Sequence, residues 1–238
     1  MRKLVRIIAI ILLIVGIGFF TYPIALREAF DIQANKAIDQ FDQLKTDALQ
    51  TDNTAPNDDN LLYAELRRAM FEYNEKLYLS GQSGLIDQLS YEKTDFLLSD
   101  YDIDSDILGY ITIPAIDIKL PIYNGASTEN MAKGATYLAH TSLPVGGKNT
   151  NCVIAAHNRY NGIYMFQRIT ELDEGDEIYI TNLWETLVYK VTETKVIAPD
   201  DSRNIYIQEN RSLVTLSTCY PYPDNDKRYL VYAELVKN

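Results

Sequence analysis

The sequence predicts a mainly β protein: one body of short strands, a barrel or a sandwich, preceded by two helices and an apolar N-terminal segment. Three observations carry this. Seven β-rich runs lie between residues 109 and 235, each bounded by Gly, Pro, Asn or Asp. No long helical pattern interrupts them, and helical spacing is confined to the chain before Ser80. Many short strands separated by turn signals read as a single all-β body.

The first element is the segment from Ile7 to Leu26, twenty residues without a charge. A helix needs about 20 apolar residues to cross the hydrocarbon core of a bilayer. Arg2, Lys3 and Arg6 precede it, and no acid occurs before residue 28. That asymmetry predicts a cytoplasmic N-terminus and a body outside the cell. A cleaved signal peptide is the rival reading, but Pro23-Ile24-Ala25-Leu26 is a poor match to a small-residue cleavage site.

Arg27 to Gln50 then reads as an amphipathic helix, with Phe30, Ala34, Ala37, Phe41, Leu44 and Ala48 at three- and four-residue steps. The turn-rich stretch 51–60 breaks it. A second helix is predicted from Leu61 to Leu79, ended by Ser80-Gly81. The pair is expected to form a hairpin near the membrane and to pack onto the following body. Residues 85–107 are acidic and aperiodic. Asp100, Asp102, Asp104 and Asp106 alternate there, but Ser105 and Ile111 stand where a calcium loop starting at Asp100 needs Gly and Glu. The strand runs follow: 109–114, 117–123, 152–156, 176–180, 186–197, 212–218 and 229–235. Four regions result: 1–26 as stub and anchor, 27–84 helical, 85–107 a linker or lid, and 108–238 the β body.

Composition excludes several classes of function. With 22 Lys+Arg against 33 Asp+Glu the net charge is −11, and nucleic-acid affinity depends on clustered basic groups. The chain after residue 26 keeps 19 of those basic groups and all 33 acids, a net of −14. Two cysteines build neither a disulfide scaffold nor a paired zinc site. Glycine-rich nucleotide-binding motifs are missing.

The candidates for chemistry are few. Cys219 ends the run ThrLeuSerThrCys before Tyr220-Pro221-Tyr222-Pro223, which sets its thiol at a strand exit. Taken alone it fits an inert buried cysteine equally well. His157 ends the run AsnCysValIleAlaAlaHis at a similar exit. An imidazolium near a thiol favours the thiolate and can later serve as general acid. His140, within a loop, is the weaker candidate. Arg228 opens the last strand nine residues after Cys219, and its fork of donors suits a carbonyl or an oxyanion. Cys152 lies mid-strand and reads as core; a disulfide with Cys219 would consume the nucleophile.

These residues resemble the sortase family. ThrLeuSerThrCys219 with Arg228 nine residues on is similar to its TLxTC signature, and Pro221, Tyr222, Asn225 and Leu230-Val231 fit the class C, pilus-assembling branch. LeuGlyTyrIleThrIlePro (108–114), LysLeuProIleTyrAsnGly (119–125), ThrSerLeuProValGlyGly (141–147) and His157 followed by Phe166 also match, as do Tyr73-Asn74 in the second helix. The resemblance implies a closed β-barrel of about eight strands with short helices and the catalytic residues Cys219, His157 and Arg228. It also implies Thr218, Tyr220 and Tyr222 about the substrate pocket, and no metal or organic cofactor.

The implied reaction is cysteine transpeptidation on an LPxTG-like sorting signal of surface proteins or pilins. A housekeeping sortase using cell-wall amines, a hydrolase using water and a non-catalytic scaffold are the other readings. Three features depart from class C, the first being Tyr220, which stands where Thr usually follows the cysteine and would narrow the pocket. Asp87-Gln88-Leu89 stands where a lid with an Asp-Pro-aromatic motif is usual, so Asp87 and Leu89 would form a looser cover. The sequence ends on LeuValTyrAlaGluLeuValLysAsn, so a single anchor through residues 7–26 is expected.

Overall fold

A computed structural model describes residues 2–52, 64–86 and 91–236. Asp87 and Leu89 lie outside the described residues. Ten strands follow two long helices in the chain: β1 Ile107–Ile113, β2 Ile118–Asn124, β3 Ala135–Tyr137, β4 Thr150–Ala155, β5 Arg159–Tyr160, β6 Ile163–Tyr164, β7 Glu177–Thr181, β8 Thr186–Ile197, β9 Ser212–Tyr220 and β10 Lys227–Leu235. Eight of them close into a barrel in the order β1-β2-β3-β4-β9-β10-β8-β7, while β5 and β6 form a separate two-stranded hairpin. The barrel excludes the sandwich, and its eight strands are the number expected from the resemblance.

Closure joins segments far apart in sequence. β4 and β9 run parallel, from Thr150 opposite Ser212 to Ala155 opposite Ser217. β9 and β10 are antiparallel neighbours across a short turn. Gly109 shows how tightly β1 meets β7: a Cβ there would lie 2.2 Å from the Thr181 carbonyl oxygen.

The helices differ from expectation in one respect. The anchor and the amphipathic helix are a single uninterrupted helix, α1 Arg2–Asp52, running through Pro23. Proline removes one backbone donor and crowds the preceding turn, yet twenty apolar residues around it keep the segment helical. The second helix, α2 Ala64–Leu79, begins within its expected range. Both pack on the barrel. Phe30, Ala34 and Phe41 of α1 and Leu66 and Met70 of α2 share one hydrophobic core with the barrel interior. Phe41 meets Tyr110 of β1 edge to face at 6.1 Å. Asn74 of α2 is buried and pairs with both backbone groups of Leu143, at 2.7 and 3.2 Å.

Because side chains alternate along a strand, the β4-β9-β10 wall carries two apolar surfaces. Ile154, Val214, Leu216 and Val231 face the main core. Val153, Leu230 and Tyr232 face outward into a second cluster with Leu85, Leu138 and Ile205. The outer surface carries the candidate site.

Candidate active site

Cys219 and Arg228 are direct partners across the β9–β10 ladder. Residues opposed in this way project from the same face of a sheet, with Cβ atoms about 4.5–5.5 Å apart. On the other side of β9, the parallel register with β4 has a constant offset, and Ala156 N–H donates to the Ser217 carbonyl at 3.2 Å. β4 ends two residues before His157. Cys219 and Arg228 thus face each other at one end of the barrel, and His157 follows β4 at that end, where the neighbouring Asn158 donates to the Cys219 carbonyl at 3.1 Å.

His157 is half-buried. Its ring stacks on Tyr160 with centroids 4.9 Å apart and planes 8° from parallel, and its carbonyl accepts from the Phe166 N–H at 2.9 Å. Burial disfavours the imidazolium and holds the His157 pKa below the ordinary histidine value. The Arg228 guanidinium donates to the carbonyls of Lys227 at 2.9 Å and Asn225 at 3.3 Å, which curls it over its own strand start.

A groove of about 250 Å³ runs along the outer wall from Arg228. Ala155, Ser217 and Leu230 form its floor, and Leu138, Ile197 and Ile205 its apolar sides. Ser217 and Cys219 share a face of β9, so the thiol is on the same side of the sheet as the groove. Asn151, fully buried, fixes one side: its amide donates to the carbonyls of Ile205 at 3.0 Å and Tyr206 at 3.3 Å and accepts from Thr215 at 2.7 Å. Leu85 and Tyr91, on either side of the expected lid residues Asp87 and Leu89, pack in the outer cluster, and Tyr91 also lines the groove.

The three pocket residues expected from the resemblance are placed differently from one another. Thr218 is 2% exposed on the opposite face of β9, and its hydroxyl donates to the Ala156 carbonyl at 2.9 Å. Tyr220, on that same face, leans on Tyr229 at 5.5 Å. Tyr222 is exposed on the turn after Cys219, where Arg159 lies 5.5 Å from its ring and 4.8 Å from that of Tyr164. Ser217 and Leu230, which the sequence analysis did not assign to the pocket, hold the groove positions. Strict alternation back from Cys219 and Arg228 is the signal that finds them.

Cys152 is buried mid-strand, and burial pushes its thiol pKa well up. Both cysteines are free. The partner of Cys152 on β9 is Val214, five residues before Cys219. That is about 16 Å along the strand, too far for a disulfide. Among the described residues no cluster of three or more His, Cys, Asp or Glu side chains is placed to hold a metal ion.

Residues 111–236, just over half of the chain, match the model of the sortase domain. The chain belongs to the sortase family. It is 33% identical over 141 residues to Sortase A of Listeria monocytogenes and 28% identical over 131 residues to Sortase D of Bacillus subtilis. These matches cover 58% and 54% of this chain, and 60% and 63% of those relatives. This sortase therefore aligns with less than two thirds of the curated relatives' length.

Solved structures match over more of the chain. Sortase C-1 of Streptococcus pneumoniae has a TM-score of 0.63 at 28% identity, covering 85% of this chain and 99% of that one. Sortase C of Clostridium perfringens, solved with the C-terminal cell wall sorting motif, has a TM-score of 0.56 at 39% identity, covering 69% and 88%. Sortase C1 of GBS Pilus Island 1 has a TM-score of 0.63 at 26% identity, covering 86% and 93%. These structural neighbours are class C sortases, in agreement with the class C features of the sequence.

Proposed function

We propose that this sortase is a membrane-anchored cysteine transpeptidase that cleaves an LPxTG-like sorting signal between Thr and Gly. The product would pass to an amine, in the first instance a pilin lysine, so that pilus subunits polymerise. The observation that supports the reading is the pairing of Cys219 with Arg228 across β9 and β10, with His157 just past the end of β4 and an apolar groove reaching Arg228. The apolar sides of the groove suit the Leu-Pro part of such a signal. Similarity to class C structures, one of them from a pilus island, supports the pilin acceptor.

In the first step the Cys219 sulfur attacks the Thr carbonyl carbon. Arg228 stabilises the oxyanion that forms. His157, as imidazolium, gives its proton to the Gly nitrogen; the C–N bond breaks and a thioester to Cys219 remains. In the second step the incoming amine attacks that thioester and gives a proton to His157. The new amide forms as the thiolate leaves. Protonation of His157 is the demanding condition, because burial favours its neutral form.

The apolar end of α1 is long enough to cross a bilayer, with mean hydropathy 2.7 and no burial against the protein. With Arg2, Lys3 and Arg6 at the start, the anchor would keep its N-terminus in the cytoplasm and hold the barrel outside.

The test is mass spectrometry of the chain with a sorting-signal peptide, with and without an amine acceptor. The expected result is a thioester adduct on Cys219 and, with amine, a ligated peptide. Cys219→Ala should form neither. Ligation surviving in that variant would overturn the assignment. Free acid formed at the same rate with and without amine would make the protein a hydrolase.

A further inference from the structure

The β4–β9 ladder would hold the nucleophile from both sides if it continued, but it stops short. Ala155 opposite Ser217 is its last pair, and Ala156 N–H donates the last rung to the Ser217 carbonyl. In a parallel ladder, alternate residues of a strand donate to the same neighbour. The next donor along β4 would be the N–H of Asn158, and its acceptor the carbonyl of Cys219.

The backbone turns away before that rung can form. The His157 carbonyl is taken by Phe166, and Arg159–Tyr160 enters the hairpin with Ile163–Tyr164. This departure frees the imidazole from the sheet. It would also leave the Cys219 carbonyl unpaired on the β4 side. The Asn158 side chain fills the place: its Nδ2 donates to the Cys219 carbonyl at 3.1 Å.

We infer that Asn158 is a positioning residue for the nucleophile, its side-chain amide replacing the missing backbone rung so that His157 can leave the strand while Cys219 stays in it.

A second observation points the same way. Asn158 is 5% exposed, and its Oδ1 is buried with no hydrogen-bond partner. Flipping the amide would set that oxygen against the Cys219 carbonyl, acceptor against acceptor. The rung therefore fixes the orientation, at the expense of an unsatisfied atom. Buried polar atoms are seldom left without partners, and here the loss accompanies a bond to the backbone of the reacting residue. On the far side β10 holds Cys219 through its pairing with Arg228. Asn158 completes the frame in which the thiol, the guanidinium and the imidazole keep their spacing. Small displacements of reacting groups reduce rate much more than they reduce binding.

The inference rests on the transpeptidase reading, and the experiment separates the two. kcat and KM for a quenched LPxTG peptide are measured on the full chain in detergent for wild type, Asn158→Ala, Asn158→Asp and Ile154→Val. The Asp variant keeps the volume of Asn and exchanges the donor for an acceptor, so it decides the matter if the Ala variant does not fold. Ile154→Val loosens the same strand without touching the backbone of Cys219. The expected result is a fall in kcat of about tenfold or more in both Asn158 variants with KM changed less than about twofold, and a near-normal kcat for Ile154→Val. Alkylation of Cys219 by iodoacetamide needs no peptide; in the Asn158 variants it should slow by about threefold or more.

If wild type leaves the peptide uncut, the transpeptidase reading falls and alkylation alone decides the role of Asn158. Alkylation at the wild-type rate overturns the positioning role. So does a kcat within about twofold of wild type in the Asn158 variants, or an equal loss in Ile154→Val.

Discussion

At the scale of single residues, His157 is the group whose environment most constrains the chemistry. Burial beside the Tyr160 ring lowers its pKa, which disfavours the imidazolium that the proposed mechanism requires. Tyr160→Ala should open one face of the imidazole to water and raise its titration toward the ordinary value of about 6.5. NMR titration of the ring protons can follow this, since His140 is the one other histidine in the chain and His140→Gln removes it. An unchanged midpoint would mean that Tyr160 does not shield the ring.

The same shift sets a stability dependence. The unfolded chain binds this proton more readily than the folded one. The contribution of His157 is therefore fully present above the unfolded value and is lost as pH falls through the folded one. His157→Gln should flatten that part of the acid limb in thermal unfolding. Strand-exit positions single out His157, Cys219 and Arg228 as candidates in the sequence, because Pro, Asn and Asp mark where each strand stops. Asn158 was not visible: its role depends on where the chain leaves a ladder with a strand some sixty residues away.

At the scale of elements, the groove depends on how the segment between β8 and β9 is held. Asn151 reaches outward from β4 and bonds two consecutive carbonyls there, Ile205 and Tyr206, with Thr215 supporting its oxygen. Asn151→Ala would leave these buried groups unpaired, at about 1–3 kcal/mol each where water cannot reach them. Water can reach the two carbonyls only if the segment swings away, which would open the wall containing Ile205. The expected outcome is a lower unfolding temperature together with a KM for sorting-signal peptide raised more than kcat is lowered. A KM unchanged in a folded variant would show that this wall does not bind the peptide.

The elements themselves were legible to very different degrees. β8 has the bounds its sequence pattern predicts, residues 186–197. β3 has three residues, and β5 and β6 two each. Runs so short contain no measurable period, and they exist because partners from elsewhere supply their ladders. The barrel closes through β3, so sequence texture alone could not choose between barrel and sandwich.

At the scale of the whole molecule, α1 has two halves of different character. The apolar window in its first half is not buried against any described residue. Its second half contributes Phe30, Ala34, Ile38 and Phe41 as buried residues, Phe41 only 1% exposed. In the proposed membrane-anchored arrangement, one continuous helix sets the distance between membrane and barrel. At 1.5 Å per residue, Phe30 lies about 6 Å and Phe41 about 22 Å beyond Leu26 along the axis. If residues 7–26 span the bilayer, the barrel lies close to its surface, and the groove wall cannot move far from the membrane without unfolding part of α1.

Two shortened chains test this division of labour. A chain beginning at Arg27 loses the apolar segment and the three basic residues before it, none of them buried among the described residues. It should stay in solution without detergent, unfold at nearly the same temperature as the full chain, and no longer sediment with lipid vesicles. A chain beginning at Lys45 also loses both phenylalanines. Removing a single buried Phe side chain costs about 3–5 kcal/mol, and a domain is stable by only about 5–15 kcal/mol. It should therefore unfold at much lower denaturant concentration, or fail to fold. Equal stability of the two shortened chains would show that α1 adds nothing to the barrel and serves the membrane alone.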